Sequence, residues 1–127
     1  MKGASAFFAA SSRNHRNSDL PCDQFLKGAE ETGHSIQKIR LAEKQVAPCL
    51  ACDVCRSGKP CTQQDDMAET LETVIGADVI LLATPVYFYS MDAQMKLFID
   101  RCYARFMEMK GKNFYFVLSL LCTWQVS

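Results

Sequence analysis

The chain has 127 residues, 49% of them apolar and 22% charged, values that fit one folded domain (residues 1–127) with a sizeable core and exclude a disordered chain. Lys and Arg balance Asp and Glu at 14 each, so no net field points to nucleic acid or to an anionic membrane, and no apolar run approaches the roughly 20 residues that span a bilayer. Seven cysteines, an odd number with four of them crowded between positions 49 and 61, argue for a reducing, cytoplasmic setting and thiolate chemistry over a disulfide framework.

Residues 4–10 are small and aromatic and read as a buried first strand. The polar run that follows, Ser11-Ser12-Arg13-Asn14-His15-Arg16-Asn17-Ser18, precedes a helix start. Hydroxyls, amides and arginines beside free backbone N–H groups make an anion site, or a plain solvated turn capped by Ser18. The helix spans about 18–32, with Leu20, Phe25 and Ala29 inward, Pro21 in the first turn and Gly33 as the stop. Residues 35–41 form an edge strand. Next is PCLACDVCRSGKPC, in which Cys49, Cys52, Cys55 and Cys61 follow a C-x2-C-x2-C-x5-C spacing. Thiolates three residues apart converge on one centre, so the loop holds an iron–sulfur cluster or a zinc ion, or is a loop of four free thiols.

Asp65 and Asp66 start a second helix, where Asp66 and Glu69 have capping-box spacing and Met67, Leu71, Val74 and Ile75 form the core stripe. Val79-Ile80-Leu81-Leu82-Ala83 is apolar without alternation, as a parallel strand buried on both faces requires. Thr84-Pro85 ends it, and Val86-Tyr87-Phe88-Tyr89 is expected as an apolar loop. Ser90 is placed to cap a helix whose stripe is Met91, Met95, Phe98, Cys102 and Phe106. A last buried strand covers residues 113–121. Cys22 and Cys102 read as core or near-surface helix thiols, and nothing assigns Trp124 a partner. In an open α/β sheet, ligands bind outside the carboxyl ends of the strands, which is where the aromatic loop lies.

Three segments together resemble the flavodoxin-like NAD(P)H-dependent FMN reductases, and within them the iron–sulfur flavoproteins. TPVYFYSMDAQMKLFIDR (residues 84–101) is similar to that family's S-P-V-Y-x-G/x-S-x-x-A-Q-x-K-x-F-I-D-R segment. PCLACDVCRSGKPCTQQDDM (48–67) is similar to its cysteine loop. ASSRNHRNSD (10–19) stands where the family has G-S-P-R-x-x-G-N-T, with Ala10, Ser12 and Arg16 in place of glycine, proline and glycine.

The resemblance implies a three-layer fold with a parallel sheet of order 2-1-3-4, its fifth strand and last helix missing because LCTWQVS does not continue such a sheet. It implies FMN held by Ser11, Arg13, Asn17 and Ser18 at the phosphate and by Thr84, Pro85, Val86, Tyr87, Phe88 and Ser90 along the ring. It further implies a [4Fe–4S] cluster on Cys49, Cys52, Cys55 and Cys61, NAD(P)H as electron donor, and a quinone, flavin, iron–sulfur centre or redox protein as acceptor. Two alternatives stand beside this oxidoreductase: an FMN- or cluster-binding electron carrier without nicotinamide turnover, and a relative that has lost flavin. With strand four as an uncovered edge, Ile80, Leu82, Phe116 or Leu118 are expected to be exposed according to register, and the chain to associate as a homodimer or higher homo-oligomer.

Overall fold

The computed structural model describes residues 3–10 and 19–119. The short apolar runs become strands and the amphipathic stretches become helices: β1 (Ala4–Ala9), α1 (Asp19–Glu31), β2 (Ser35–Arg40), α2 (Met67–Gly76), β3 (Val79–Tyr87), β4 (Ser90–Met91), α3 (Ala93–Arg101) and β5 (Asn113–Ser119). β1 lies between β2 and β3, and β3 also pairs with β5, all in parallel. The order is therefore 2-1-3-5, which is the expected 2-1-3-4 once β4 is counted. That two-residue strand pairs antiparallel with the far end of β3 only, Val86 opposite Met91 and Tyr87 opposite Ser90.

Alternation along the central strands divides the core between two faces. Ala6 and Phe8 of β1 with Ile80 and Leu82 of β3 meet Met67, Leu71 and Val74 of α2 and Met95 and Phe98 of α3. Phe7, Ala9, Leu81 and Ala83 point the other way and meet Cys22 and Leu26 of α1. The result is three layers, with α1 on one side of the sheet and α2 and α3 on the other. Phe8 and Phe98 stack with ring centroids 4.7 Å apart.

Several sequence expectations are corrected. The inward stripe of α1 is Cys22–Leu26, one residue round from Phe25, which is exposed and lies against Tyr115 instead, 5.6 Å between ring centroids. Ala29 is half-buried, and the side chain of Leu20 lies outside the description. The third helix is not one stripe from Met91 to Phe106. Met91 is in β4, α3 ends at Arg101, and residues 102–109 continue as 3₁₀ turns broken at Arg105 (φ −137°), which leaves Phe106 exposed. The Asp66–Glu69 capping box does not form. Asp66 accepts instead from the Gln45 N–H at 2.7 Å, and Asp65 accepts from Met67 N–H at 3.0 Å.

β5 was expected to be buried and is not. Phe114, Phe116 and Leu118 share the α2/α3 face with Ile80, Leu82 and Thr84 by register, yet they are 41, 51 and 55% exposed. Ile80 and Leu82 are fully covered, because α2 and α3 reach across β3 and stop short of β5. The expectation of an uncovered edge therefore holds for Phe116 and Leu118 and fails for Ile80 and Leu82. Leu120, Leu121 and Trp124 lie outside the described residues.

Candidate functional site

The site forms where β1 and β3 end. The connection from β1 to β2 leaves to one side and that from β2 to β3 passes to the other, so the strand order reverses between β1 and β3, where an open sheet leaves a crevice. Ala10 N–H donates to Ala83 O at 2.9 Å and holds the two strand ends together. Ser11, Arg13, Asn17 and Ser18 lie outside the described residues.

The aromatic segment on β3 is not an irregular loop. β3 runs past Pro85 to Tyr87 and folds back into β4 through a two-residue hairpin, Phe88-Tyr89. Proline is tolerated because it stands at the last register position shared with β5, beyond the end of the β1 pairing. Phe88 (φ 42°) and Tyr89 (φ 71°) both adopt the left-handed conformation that a type I′ turn requires and that Asn-Gly satisfies without strain. A side chain there costs roughly 1–2 kcal/mol per residue. The two rings meet edge to face at 5.2 Å, and Tyr87, Phe88 and Tyr89 are 52, 72 and 87% exposed. Backbone strain spent on presenting aromatic rings to solvent is a mark of a functional segment. Replacing Phe88 and Tyr89 by Asn and Gly should raise stability by about 1 kcal/mol, since the relief of turn strain exceeds the lost ring contact. Urea unfolding with an unchanged slope checks this.

Beneath the hairpin, Thr84 is fully buried and spends its hydroxyl internally. It accepts from Asp92 N–H at 3.0 Å and donates to Pro85 O at 2.9 Å. The helix cap is Asp92, not Ser90, which is exposed in β4: Asp92 Oδ1 accepts from Met95 N–H at 3.0 Å. Asp92 is 1% exposed, and its Oδ2 has no partner among the described residues. Burial pushes its carboxyl above the usual range, and the bond from Met95 N–H only partly offsets this.

The cysteine loop leaves the same edge after β2. Its base is stapled shut. Gln45 and Asp66 exchange two bonds, Ala47 N–H donates to Asp65 at 3.0 Å, and the Gln63 amide donates to Pro48 O at 3.0 Å. Arg101, the last residue of α3, completes the closure. It is 3% exposed and forks onto Asp65 at 2.6 and 3.1 Å. It also donates to Ala47 O at 2.9 Å and to the Cys61 sulfur at 3.6 Å. Burial alone would raise the Asp65 carboxyl, but Arg101 and two backbone N–H groups hold it below its ordinary value.

Cys49, Cys52, Cys55 and Cys61 all line one cavity of about 530 Å³, closed on the far side by residues 99–104 and Phe106. Within the loop Ala51 (φ 53°) and Asp53 (φ 59°) are left-handed, which turns the Ala51 N–H towards the Cys49 sulfur at 3.4 Å. Cys52 is held below the usual thiol value by the Val54 N–H and then by Thr62. Among the described residues, no three Cys, His, Asp or Glu side chains stand close enough to hold a single metal ion. A soft, all-thiol donor set around one cavity nevertheless fits the chemistry of a cluster, whose ligands are spread more widely than those of one ion. Cys102 lines the same cavity, with its thiol pushed up to about 12 by burial.

Sequence reasoning missed the Asp92 cap and the Asp65–Arg101 latch, and it read Cys102 as a core or near-surface thiol without placing it at the cavity. Asp92 was legible as Asp three residues before Met95, an N-cap spacing that competed with Ser90. The latch joins positions 36 apart in the chain and carries no local signal.

The family model described as NADPH-dependent FMN reductase matches residues 5–121. The chain belongs to this family. An iron-sulfur flavoprotein of Archaeoglobus fulgidus is 36% identical over 104 residues, 80% of this chain and 47% of that protein. The chain spans about half the length of the curated iron-sulfur flavoproteins it matches. Among solved structures, the NAD(P)H:quinone oxidoreductase from Methanothermobacter marburgensis superposes with a TM-score of 0.68 at 18% identity, covering 81% of this chain and 54% of that one. An FMN-dependent NADH-azoreductase from Bacillus anthracis, in complex with FMN, gives a TM-score of 0.68 at 14% identity, covering 92% and 69%. These structures carry the flavodoxin-like fold. Among the described residues no helix is long and apolar enough to cross a membrane.

Proposed function

We propose that the chain is the flavin-binding part of an FMN-dependent oxidoreductase that takes electrons from NAD(P)H and passes them to a quinone, a flavin or an iron–sulfur centre. The observation that carries this reading is the strained Phe88-Tyr89 hairpin at the β1/β3 crevice. Bound FMN would supply the hydride acceptance and the release of electrons singly or in pairs. The chain's own residues would hold it: Ser11, Arg13, Asn17 and Ser18 at the phosphate, and Pro85, Val86, Tyr87, Phe88 and Ser90 along the ring. Thr84 holds the hairpin from below through Pro85 and Asp92. Family membership and the named activities of the similar proteins support the reading.

Adding NADH or NADPH to the FMN-loaded protein without oxygen should bleach the flavin absorbance. A flavin that binds and stays oxidised with both would favour the electron-carrier alternative. Arg13→Ala should weaken FMN binding by about 1.5–3 kcal/mol if Arg13 makes a charge-assisted bond to the phosphate. Unchanged affinity in that variant would remove Arg13 from the site.

The cysteine loop is read as the seat of a [4Fe–4S] cluster on Cys49, Cys52, Cys55 and Cys61, supported by the shared cavity and by the names of the relatives. The uncovered Phe114, Phe116 and Leu118 face supports self-association through β5, most simply as a two-fold dimer. Light scattering at low micromolar concentration should report about twice the 14.3 kDa chain mass. A sharply melting monomer would contradict the dimer.

A further inference from the structure

Arg101 does more than close a loop. Each terminal nitrogen of its guanidinium makes two contacts: Nη1 with Ala47 O and Asp65, Nη2 with Asp65 and the Cys61 sulfur. The side chain is buried and cannot swing to solvent. We propose that Arg101 is a positioning residue that sets the reduction potential of the centre held by the cysteine loop, through its N–H···S bond to Cys61. The inference rests on the cluster reading given above.

Cys61 follows the other three thiols after a five-residue gap, so the tight turn that gathers Cys49, Cys52 and Cys55 does not fix it. Arg101 does, from the end of α3. When one electron enters a thiolate-held cluster, from the flavin or from a chemical reductant, the cluster gains one unit of negative charge, shared with its ligand sulfurs. A donor aimed at one of those sulfurs favours the reduced state and so raises the potential. Asp65 sets how large this effect is, because its carboxylate cancels the net charge of the guanidinium and leaves Cys61 facing an N–H dipole rather than a bare cation.

The two partners therefore act with opposite signs. Lysine at 101 keeps the charge but cannot reach both Asp65 and Cys61, since it lacks the fork. Arg101→Lys should lower the potential. Asp65→Asn keeps an oxygen acceptor for the guanidinium but unmasks its charge beside Cys61, and should raise the potential. A role confined to holding the loop would move both variants in the same direction.

The test is anaerobic reconstitution of wild type, Arg101→Lys and Asp65→Asn with iron and sulfide. Iron content is then measured, followed by an equilibrium redox titration read by the paramagnetic resonance of the reduced cluster. Wild type should hold about four irons per chain, the content of a four-cysteine [4Fe–4S] site. At a fixed ambient potential, the reduced-to-oxidised ratio should fall about tenfold in Arg101→Lys, equivalent to 59 mV for a one-electron couple, and should rise in Asp65→Asn. A wild type without iron would overturn the cluster reading and this proposal with it. Iron-loaded variants with unshifted potentials, or both shifted one way, would overturn the role of Arg101 alone. So would loss of iron from both variants while wild type retains it, because the pair would then serve assembly rather than potential.

Discussion

Phe98→Ala is expected to destabilise the fold by about 3–5 kcal/mol, the range for truncating a fully buried aromatic residue. Phe98 is 1% exposed and stacks on Phe8, which is 0% exposed, at the point where α3 crosses β1. Among the described residues neither ring has an alternative neighbour of comparable size on that face, where the rest of the buried core is Met, Leu, Ile, Val and Ala. The cavity therefore cannot collapse cheaply. Against a total stability of about 5–15 kcal/mol for a domain, the loss is a large fraction. α3 also carries Asp92 at its start and Arg101 at its end, so a loosened helix reaches both the hairpin and the cysteine loop. Denaturant unfolding with an unchanged slope would read the loss directly. A change below about 1 kcal/mol would show that α3 is not docked on β1 as described.

Arg101→Met should cost about 3 kcal/mol, near the lower end for removing one partner of a buried ion pair. The lower end applies because Asp65 keeps the N–H groups of Ala47 and Met67 and its side chain is 13% exposed, so the stranded carboxylate is partly served. Ala47 O loses its donor as well. The effect has a pH signature. Asp65 is held below its ordinary value in the folded chain, so its contribution is present above the unfolded carboxylate range and is lost as pH falls through the folded value. The difference between wild type and Arg101→Met should therefore be largest near neutral pH and should shrink on acidification. An equal difference at about pH 7 and about pH 3 would mean that the methionine is penalised for its shape and not for the missing charge.

The strand and helix framework was legible because its signals are local. The unbroken apolar run at 79–83 can only be a two-face-buried strand, and Met67, Leu71 and Val74 recur at helical spacing. Errors arose where tertiary pairing overrode local chemistry. Pro85 marks the end of a strand in isolation, but it stands where β3 has left β1 and is free of the need to donate, so the strand continues to Tyr87. Phe88 and Tyr89 in a tight turn defy the composition of turns, and only the β3–β4 pairing reveals them as one. Phe25 and Phe114 look like core residues by type, yet Phe25 sits beside the inward stripe of α1, against Tyr115, and Phe114 sits where no described helix reaches. The cysteine spacing placed four thiols on one loop, and the fold brings them to one cavity. It could not announce that a residue 40 positions away would donate to Cys61.

FMN is proposed to sit in the crevice between β1 and β3. Titrating FMN into flavin-free protein while following flavin fluorescence tests it most directly. Stacking against the aromatic hairpin should quench the emission saturably, and the Phe88→Asn/Tyr89→Gly variant, although more stable, should bind more weakly. Unquenched flavin at high micromolar concentration of folded protein would contradict the account.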